Sequence, residues 1–511
     1  MTFNSALRRV AGAAVLGTLA APAFAASEAM LELLKVLRDQ GTIKQEAYEM
    51  LRNAALADEE HRAADTEKAV TTRVTQSLAT AKPAERKPDP NDVKVTLNDG
   101  LKFRTADGSF SAQVGTFLQF DSALYGNDPK SKFSNGTELR RGRLNIQGTV
   151  YQDWEYKFEA DFAGSTSDGS ANTVKVTDAF VRYKGIAPFN VTLGNFKPPY
   201  SLEALTSDTN TTFTERALPF ALINDRLLGG QLGANGANWT AAAGIFGAPV
   251  TKQNNANEGL TGSARVTFDP ILAKDRLLHF GLSGQIREPD HNASGADTVR
   301  FSAKPESNIM SDALPACAAL GPVETKAITS DCVYGKFGGR SGFGRSSGRL
   351  VDTGNIVGGV DYWTHGNIEA AGIYGPFSLQ GEYVHTDVER NTKDSLGFES
   401  YYVQASLFLT DDVRPYKGEK GYFDPVQPTM PFKLGGPGWG AWELGARFSA
   451  LDLNDQDVHG GRLEDFTAGV NWYVNRFVRF SANYVTVVDL DDGAHSGEDL
   501  DALQFRAQIQ Y

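Results

Sequence analysis

The sequence predicts an all-β fold: a transmembrane antiparallel β-barrel of about 16 strands, preceded by a short N-terminal helical segment. Three features of the chain predict it. From Ser109 to Tyr511, apolar and polar residues alternate with a period of two. The alternating runs are about nine to eleven residues long, which suits a tilted membrane strand, whereas soluble sandwich strands run to about five or six. Aromatic residues such as Tyr125, Tyr151, Trp154, Trp472, Tyr473 and Tyr484 sit at the ends of the runs, where a membrane interface would hold them.

The N-terminal region differs in kind. Arg8 and Arg9 precede an apolar run, Val10 to Ala21, that is too short to span a bilayer. Ala23-Phe24-Ala25 follows as a cleavage site, so residues 1–25 read as a secretory signal peptide. Residues 26–81 read as helical. Leu31, Leu34, Leu37, Ile43, Tyr48 and Leu51 keep helical spacing, Gly41-Thr42 interrupts them, and Val70, Val74 and Leu78 continue the stripe more thinly. One such helix cannot bury its own stripe, so it forms a coiled coil or packs on something else. Residues 82–107, opening with the proline-rich KPAERKPDPND, read as a linker and lead-in to the barrel.

Residues 108–511 carry the barrel. Around Trp154 the outward set is Trp154, Tyr156, Phe158, Ala160 and Phe162; the inward set is Glu155, Lys157, Glu159 and Asp161. Equivalent runs begin near Phe110, Leu144, Leu278, Tyr401, Trp442, Phe466, Val478 and Leu503. Tyr511 falls in the outward register, as in a closing strand. Backbone groups in lipid have no water to bond, so the sheet must close.

Composition excludes several classes. Lys plus Arg is 50 against Asp plus Glu 62, a formal charge of -12, so bulk charge does not hold the chain to nucleic acid. No metal site or cofactor is expected. The two cysteines, Cys317 and Cys332, are too few for a closed structural zinc site, although export permits a disulfide between them. No enzymatic role is expected either. The histidines His61, His279, His291, His365, His385, His459 and His495 have no nucleophile elbow to serve, and Thr261-Gly262-Ser263 lacks the closing glycine.

If apolar rows face lipid, the other register lines the lumen. Its basic residues are Arg141, Arg143, Lys157, Arg182, Lys184, Arg265, Arg287, Arg300, Arg447, Arg479 and Arg506. Its acidic residues are Glu155, Glu159, Asp161, Asp178, Glu382 and Glu443. The wall leans positive in an acidic chain, which favours anions. For any one arginine, however, a salt bridge across the wall is the better expectation. Arg143 near Glu155, or Lys157 near Asp178, would neutralise each other. The connection 197–226 leaves through Lys197-Pro198-Pro199 and lacks alternation, so it is expected to fold inward and narrow the pore. A second irregular stretch, about 304–354, holds both cysteines. Its glycine-rich run Gly338–Arg345 lacks the ending of a phosphate-binding loop and reads as a mobile loop.

An ordered set of motifs adds a resemblance. These are Leu139-Arg140-Arg141-Gly142-Arg143-Leu144, Trp154-Glu155-Tyr156-Lys157, Leu193-Gly194-Asn195-Phe196-Lys197-Pro198-Pro199, Phe213-Thr214-Glu215-Arg216, Tyr374-Gly375-Pro376-Phe377, Tyr401-Tyr402-Val403-Gln404-Ala405 and Gly440-Ala441-Trp442-Glu443-Leu444. Together they resemble the phosphate-selective porin O/P family over most of residues 95–511. The resemblance implies a 16-stranded homotrimeric barrel in the outer membrane of a Gram-negative bacterium, with arginines guiding anions to a constriction. Arg140, Arg141 and Arg216 match that arginine set. Where phosphate-specific members carry constriction lysines, this chain aligns Glu155, Ala204 and Thr209, which argues against a high-affinity phosphate site.

The expected function is therefore a water-filled porin for passive diffusion of small hydrophilic solutes, leaning towards phosphate or related anions. The expected pore-lining, anion-guiding residues are Arg140, Arg141, Arg143, Lys157, Arg182, Lys184, Lys197, Arg216, Arg447 and Arg479. Expected partners are outer-membrane lipid, two further copies of the chain, small anionic solutes and, through the N-terminal helix, peptidoglycan. The competing class is a structural or adhesive outer-membrane barrel without significant conductance.

Overall fold

The computed structural model describes residues 21–80, 89, 92–97, 100–126, 135–163, 174–251, 258–290, 297–309 and 348–511. They fall into two units, Met1–Asp89 and Pro90–Tyr511. Most of the expected leader and both cysteines, Cys317 and Cys332, lie outside the described residues, as does the glycine-rich run Gly338–Arg345.

The first unit is a helical hairpin of α1 (Ala21–Asp39) and α2 (Gln45–Thr80). Gly41 ends α1 in the left-handed region at φ 71°, with its N–H bonded to the Arg38 carbonyl and that of Thr42 to Leu37. Leu31, Leu34, Leu37, Ile43 and Tyr48 are half-buried, as their spacing predicts. Leu51 departs from the expected stripe and is exposed, together with Met30, Leu33, Val36 and Met50. Val70, Val74 and Leu78 fall within α2.

In the second unit, β1 (Val93–Thr96) and β2 (Leu101–Thr105) form a hairpin. The wall follows as β3 (Ser111–Gly126), β4 (Gly136–Val150), β5 (Trp154–Asp161), β6 (Lys175–Ile186), β7 (Phe189–Phe196), β8 (Leu227–Asn235), β9 (Trp239–Phe246), β10 (Thr261–Ala273) and β11 (Arg276–Arg287). A two-residue ribbon, β12 (Ser302–Ala303) with β13 (Val351–Asp352), interrupts it. Then come β14 (Val360–Tyr374), β15 (Phe377–Arg390) and β16 (Leu396–Phe408). A second ribbon, β17 (Tyr416–Lys417) with β18 (Tyr422–Phe423), precedes β19 (Ala441–Asp455), β20 (Val458–Tyr473), β21 (Val478–Asp491) and β22 (Asp501–Gln510).

Each wall strand pairs antiparallel with the next, and β22 pairs with β3 from Asp501↔Gly126 to Gln510↔Phe117. That last pairing closes a barrel of sixteen strands, as expected. The lead-in is itself part of the sheet. The first half of β3 pairs with β2 (Leu101↔Val114, Arg104↔Ser111), so β2 continues the row that β22 occupies higher up. Tyr511 sits at the junction, exchanging two backbone bonds of 2.9 and 3.0 Å with Thr116.

The period-two reading holds around the membrane belt. Leu144, Phe158, Phe280, Val403 and Phe480 are exposed, while Gln119, Arg143, Gln404, Asn471 and Ser481 are buried. Trp442, Trp472 and Phe480 stack in one outward row, with centroids 5.4 and 5.8 Å apart. Two expected girdle residues point inward instead. Tyr473 donates its hydroxyl to Glu443 at 2.9 Å, and Tyr125 packs against the buried apolar cluster on the inner side, hydrogen-bonded to Ser307.

On β15 to β21 the strands outlast the belt. Above Tyr383, Tyr401, Phe448 and Phe466 the outward positions turn polar: His385, Asp387, Glu389, Glu399, Asp452, Arg462 and Glu464. The inward positions turn apolar: Val384, Val388, Leu396, Phe398, Leu451, Leu453 and Leu463. These pack with Phe301, Leu350, Val351 and Ile356 from the β11–β14 connection and with Leu218 and Leu222. The expectation that every apolar row faces lipid therefore fails here. Past the bilayer the outside is water, and the apolar side is the one that must be covered.

Candidate functional site: the constricted lumen

The connection 197–226, here called L3, folds into the barrel. Ser201 caps the one-turn helix α3 (Leu202–Leu205), its Oγ accepting from the Ala204 N–H at 3.1 Å. The same turn is held by the wall. Glu382 on β15 accepts the N–H groups of Leu202 (3.1 Å) and Glu203 (2.7 Å) and the Tyr402 hydroxyl (2.9 Å). Opposed glycines of β19 and β20, Gly445 and Gly469, leave room for Phe213, because a Cβ on either would stand 3.0 to 3.2 Å from the ring. Arg447 closes over that ring at 4.5 Å.

Further bonds tie L3 to the same side. Asn471 donates to the Thr212 carbonyl (2.8 Å), Arg479 to Thr211 (2.8 Å), Gln508 to Thr209 (3.2 Å) and Gln119 to Asp208 (3.2 Å). L3 is thus fastened to β3, β15 and β19 through β22. The β16–β19 connection also turns inward, from the end with the shorter turns. Arg265 donates to its Gly421 carbonyl at 2.7 Å, Tyr416 is hydrogen-bonded to His279 at 2.8 Å, and Arg414 lies 3.6 Å above Phe423 and donates to Gln380. Its Phe423 carbonyl also accepts from Asn210 of L3.

Among the described residues, a cavity of about 1000 Å³ stays open against β1 through β10. Ten basic side chains among those residues line it: Lys94, Lys102, Arg104, Arg143, Lys157, Arg182, Lys197, Arg226, Arg265 and Lys420. Five acidic ones do: Glu155, Glu159, Asp178, Asp208 and Glu419. Sequence reasoning missed Lys94, Lys102 and Arg104, which lie in the lead-in, and Arg226, Asp208, Lys420 and Glu419. Arg226 ends an irregular connection and Lys420 lies in another, so no alternation assigned either an inward side.

The ten expected residues divide into two groups. Arg143, Lys157, Arg182 and Lys197 line the cavity, and Lys184 lies next to it, bonded to Glu155 at 2.7 Å. Arg140, Arg141, Arg216, Arg447 and Arg479 instead fasten L3. Arg140 grips Glu215 with two bonds of 2.8 and 3.0 Å. Arg141 donates to Gln119 at 2.8 Å and lies 3.4 Å from Asp208. Arg140 and Arg141 both reach inward because a bulge opposite Gln119 and Phe120 inserts Arg140 between paired positions. Arg216 pairs with Asp208 and donates to the Glu203 and Thr206 carbonyls. Arg447 pairs with Glu306 and, at 3.3 Å, with Glu203.

Inside the cavity the charges are largely paired. Arg143 meets Asp161 (2.9 Å), Asp208 (3.0 Å) and Glu159 (3.3 Å). Lys157 meets Asp178 (2.6 Å), as its strand position suggested, and Glu159 (3.1 Å). Arg226 meets Asp178 at 2.6 Å. Glu155, not Arg143's partner as expected, faces Lys184 and Arg182. Within L3, burial pushes the Asp208 carboxyl up, but Arg141, Arg216 and Arg143 together hold it well below the carboxylate range. Burial, followed by repulsion from Arg216, lowers Lys197 to about 7.

The chain is similar to several known proteins. The model of the family described as phosphate-selective porin O and P matches residues 112–339 and 333–511. The chain is similar to Porin O of Pseudomonas aeruginosa, 26% identical over 441 residues, covering 83% of this chain and 93% of the relative. It is 28% identical over 425 residues to an uncharacterized protein of Caulobacter vibrioides, covering 80% and 75%. Among solved structures, an anion-selective porin from Comamonas acidovorans aligns with a TM-score of 0.46 at 13% identity, over 79% of this chain and all of that one.

Proposed function

Since this chain belongs to the phosphate-selective porin O and P family and is an anion-leaning porin of the outer membrane, we propose that solutes cross it on one side only. They pass through the aperture between L3 and the wall β3–β10. The observation that carries this reading is the ten-to-five excess of basic over acidic side chains in that cavity. Because most of these cations have carboxylate partners, the aperture attracts anions by its residual charge rather than by a dedicated phosphate cage. The positions expected to lack constriction lysines support the same view. Glu155 is bonded to Lys184, Ala204 brings no charge, and the Thr209 hydroxyl is bonded to Asn210.

The remaining elements take their place around this pore in the proposal. Residues 1–25 direct export, and three copies assemble. The exposed Met30, Leu33 and Val36 of the helical hairpin suit a coiled coil reaching towards peptidoglycan. No enzymatic step enters the reading. Planar-bilayer recordings under a salt gradient test it. The expected result is stepwise conductance with a reversal potential on the anion side and only weak block by phosphate. Absence of steps would favour the non-conducting structural barrel, and strong block by dilute phosphate would point to a specific phosphate channel.

A further inference from the structure

Lys197 differs from the wall and L3 cations beside it. Arg143, Lys157 and Arg226 each hold carboxylates. Lys197 lines the same cavity, yet its Nζ donates only to the Ala204 carbonyl, and among the described residues no carboxylate reaches it within ion-pair distance. An ammonium carries three donors, so two remain for a solute. The neighbouring groups cannot supply the partner. In L3, Asp208 is engaged by Arg141, Arg143 and Arg216, and Asp225 by Arg226. On the wall, Asp178 and Glu159 are engaged by Lys157, Arg226 and Arg143. Arg216 and Arg226 both repel the lysine, and Arg216 shares its carbonyl.

We propose that Lys197 is the residue that determines specificity in the aperture, an ammonium whose missing partner is a small oxyanion in transit. This rests on the anion-porin reading and deepens it. Only the protonated amine attracts the anion. With Lys197 titrating at about 7, anion preference is full in acid and declines as pH rises through neutrality. Arginine at this site would keep its charge throughout.

Two measurements on the full-length, detergent-purified protein test the proposal, with heat-dependent gel mobility confirming folded barrels. The first is the reversal potential of wild type, Lys197→Arg and Lys197→Met between about pH 5.5 and about pH 9, a range spanning the lysine's titration. The expected outcome is an anion permeability ratio that falls about two-fold with pH in wild type. It should stay high in Lys197→Arg and low in Lys197→Met. A wild-type ratio that does not change with pH, or a Lys197→Met channel as anion-preferring as wild type, overturns the proposal. The second is amine acylation near neutral pH read by mass spectrometry. Lys197 should be modified ahead of Lys184 and protected by inorganic phosphate; absence of protection counts against the proposal even if no current flows. Absence of conductance in wild type would instead sink the porin reading.

Discussion

The two sides of this barrel use one alternation rule to opposite ends. Along β4 to β6 the inward rows carry charges, and those of β7 to β9 are small or uncharged polar residues such as Thr192, Gln231 and Thr240. Strands such as β5, β7 and β9 are only eight residues long. Along β14 to β21 the strands run to 13–16 residues, and their inward rows first grip L3 and then become apolar. In the proposed function the low side conducts, while the tall side, helped by Arg140 and Arg141 of β4, clamps L3. Inward orientation alone therefore does not make a residue part of the pore. The difference lies in whether a connection is packed against it.

Breaking the clamp should have the largest effect. Arg447→Ala leaves Glu306 and Glu203 buried without their cation, at a cost of about 3–5 kcal/mol. Denaturant unfolding should show that loss, and single-channel conductance should rise as L3 loosens. Leu453→Ala tests the apolar crown and should cost about 2–5 kcal/mol, with ion preference unchanged because the cavity lies on the other side. An altered reversal potential there would abolish the division between the two sides. Asp178→Asn acts on the conducting side by releasing Lys157 and Arg226; anion permeability should rise while stability changes by about 1–3 kcal/mol. Glu155→Gln should do least. Its partners Lys184 and Arg182 are more than a third exposed, so the stability change should be about 0–1 kcal/mol and the shift in reversal potential small.

The same contrast explains what could be read from the sequence. The strand count, the belt and the inward fall of 197–226 followed from alternation and its interruption, because lipid fixes which face is apolar. Above Tyr383 and Tyr401 that constraint ends, so rows such as Val384 and Val388 carry the same pattern with the opposite meaning. Arg140 was legible as a motif residue, but its inward turn depends on a bulge that only the pairing with β3 reveals. The inward course of 409–440 left no periodic signal. Ion pairing was equally hidden: Arg143 takes Glu159, Asp161 and Asp208, two from the next strand and one from L3, a choice that depends on tertiary packing.

The crown on the tall side also bears on how such a channel is sized. A sixteen-strand cylinder suggests a wide bore, but the clamp and the crown occupy much of it, so current would travel through an eccentric slit. A diameter calculated from unit conductance on the assumption of a round hole would then describe no actual circle in the molecule. It would understate the barrel and misplace the axis along which drugs or nutrients are imagined to travel.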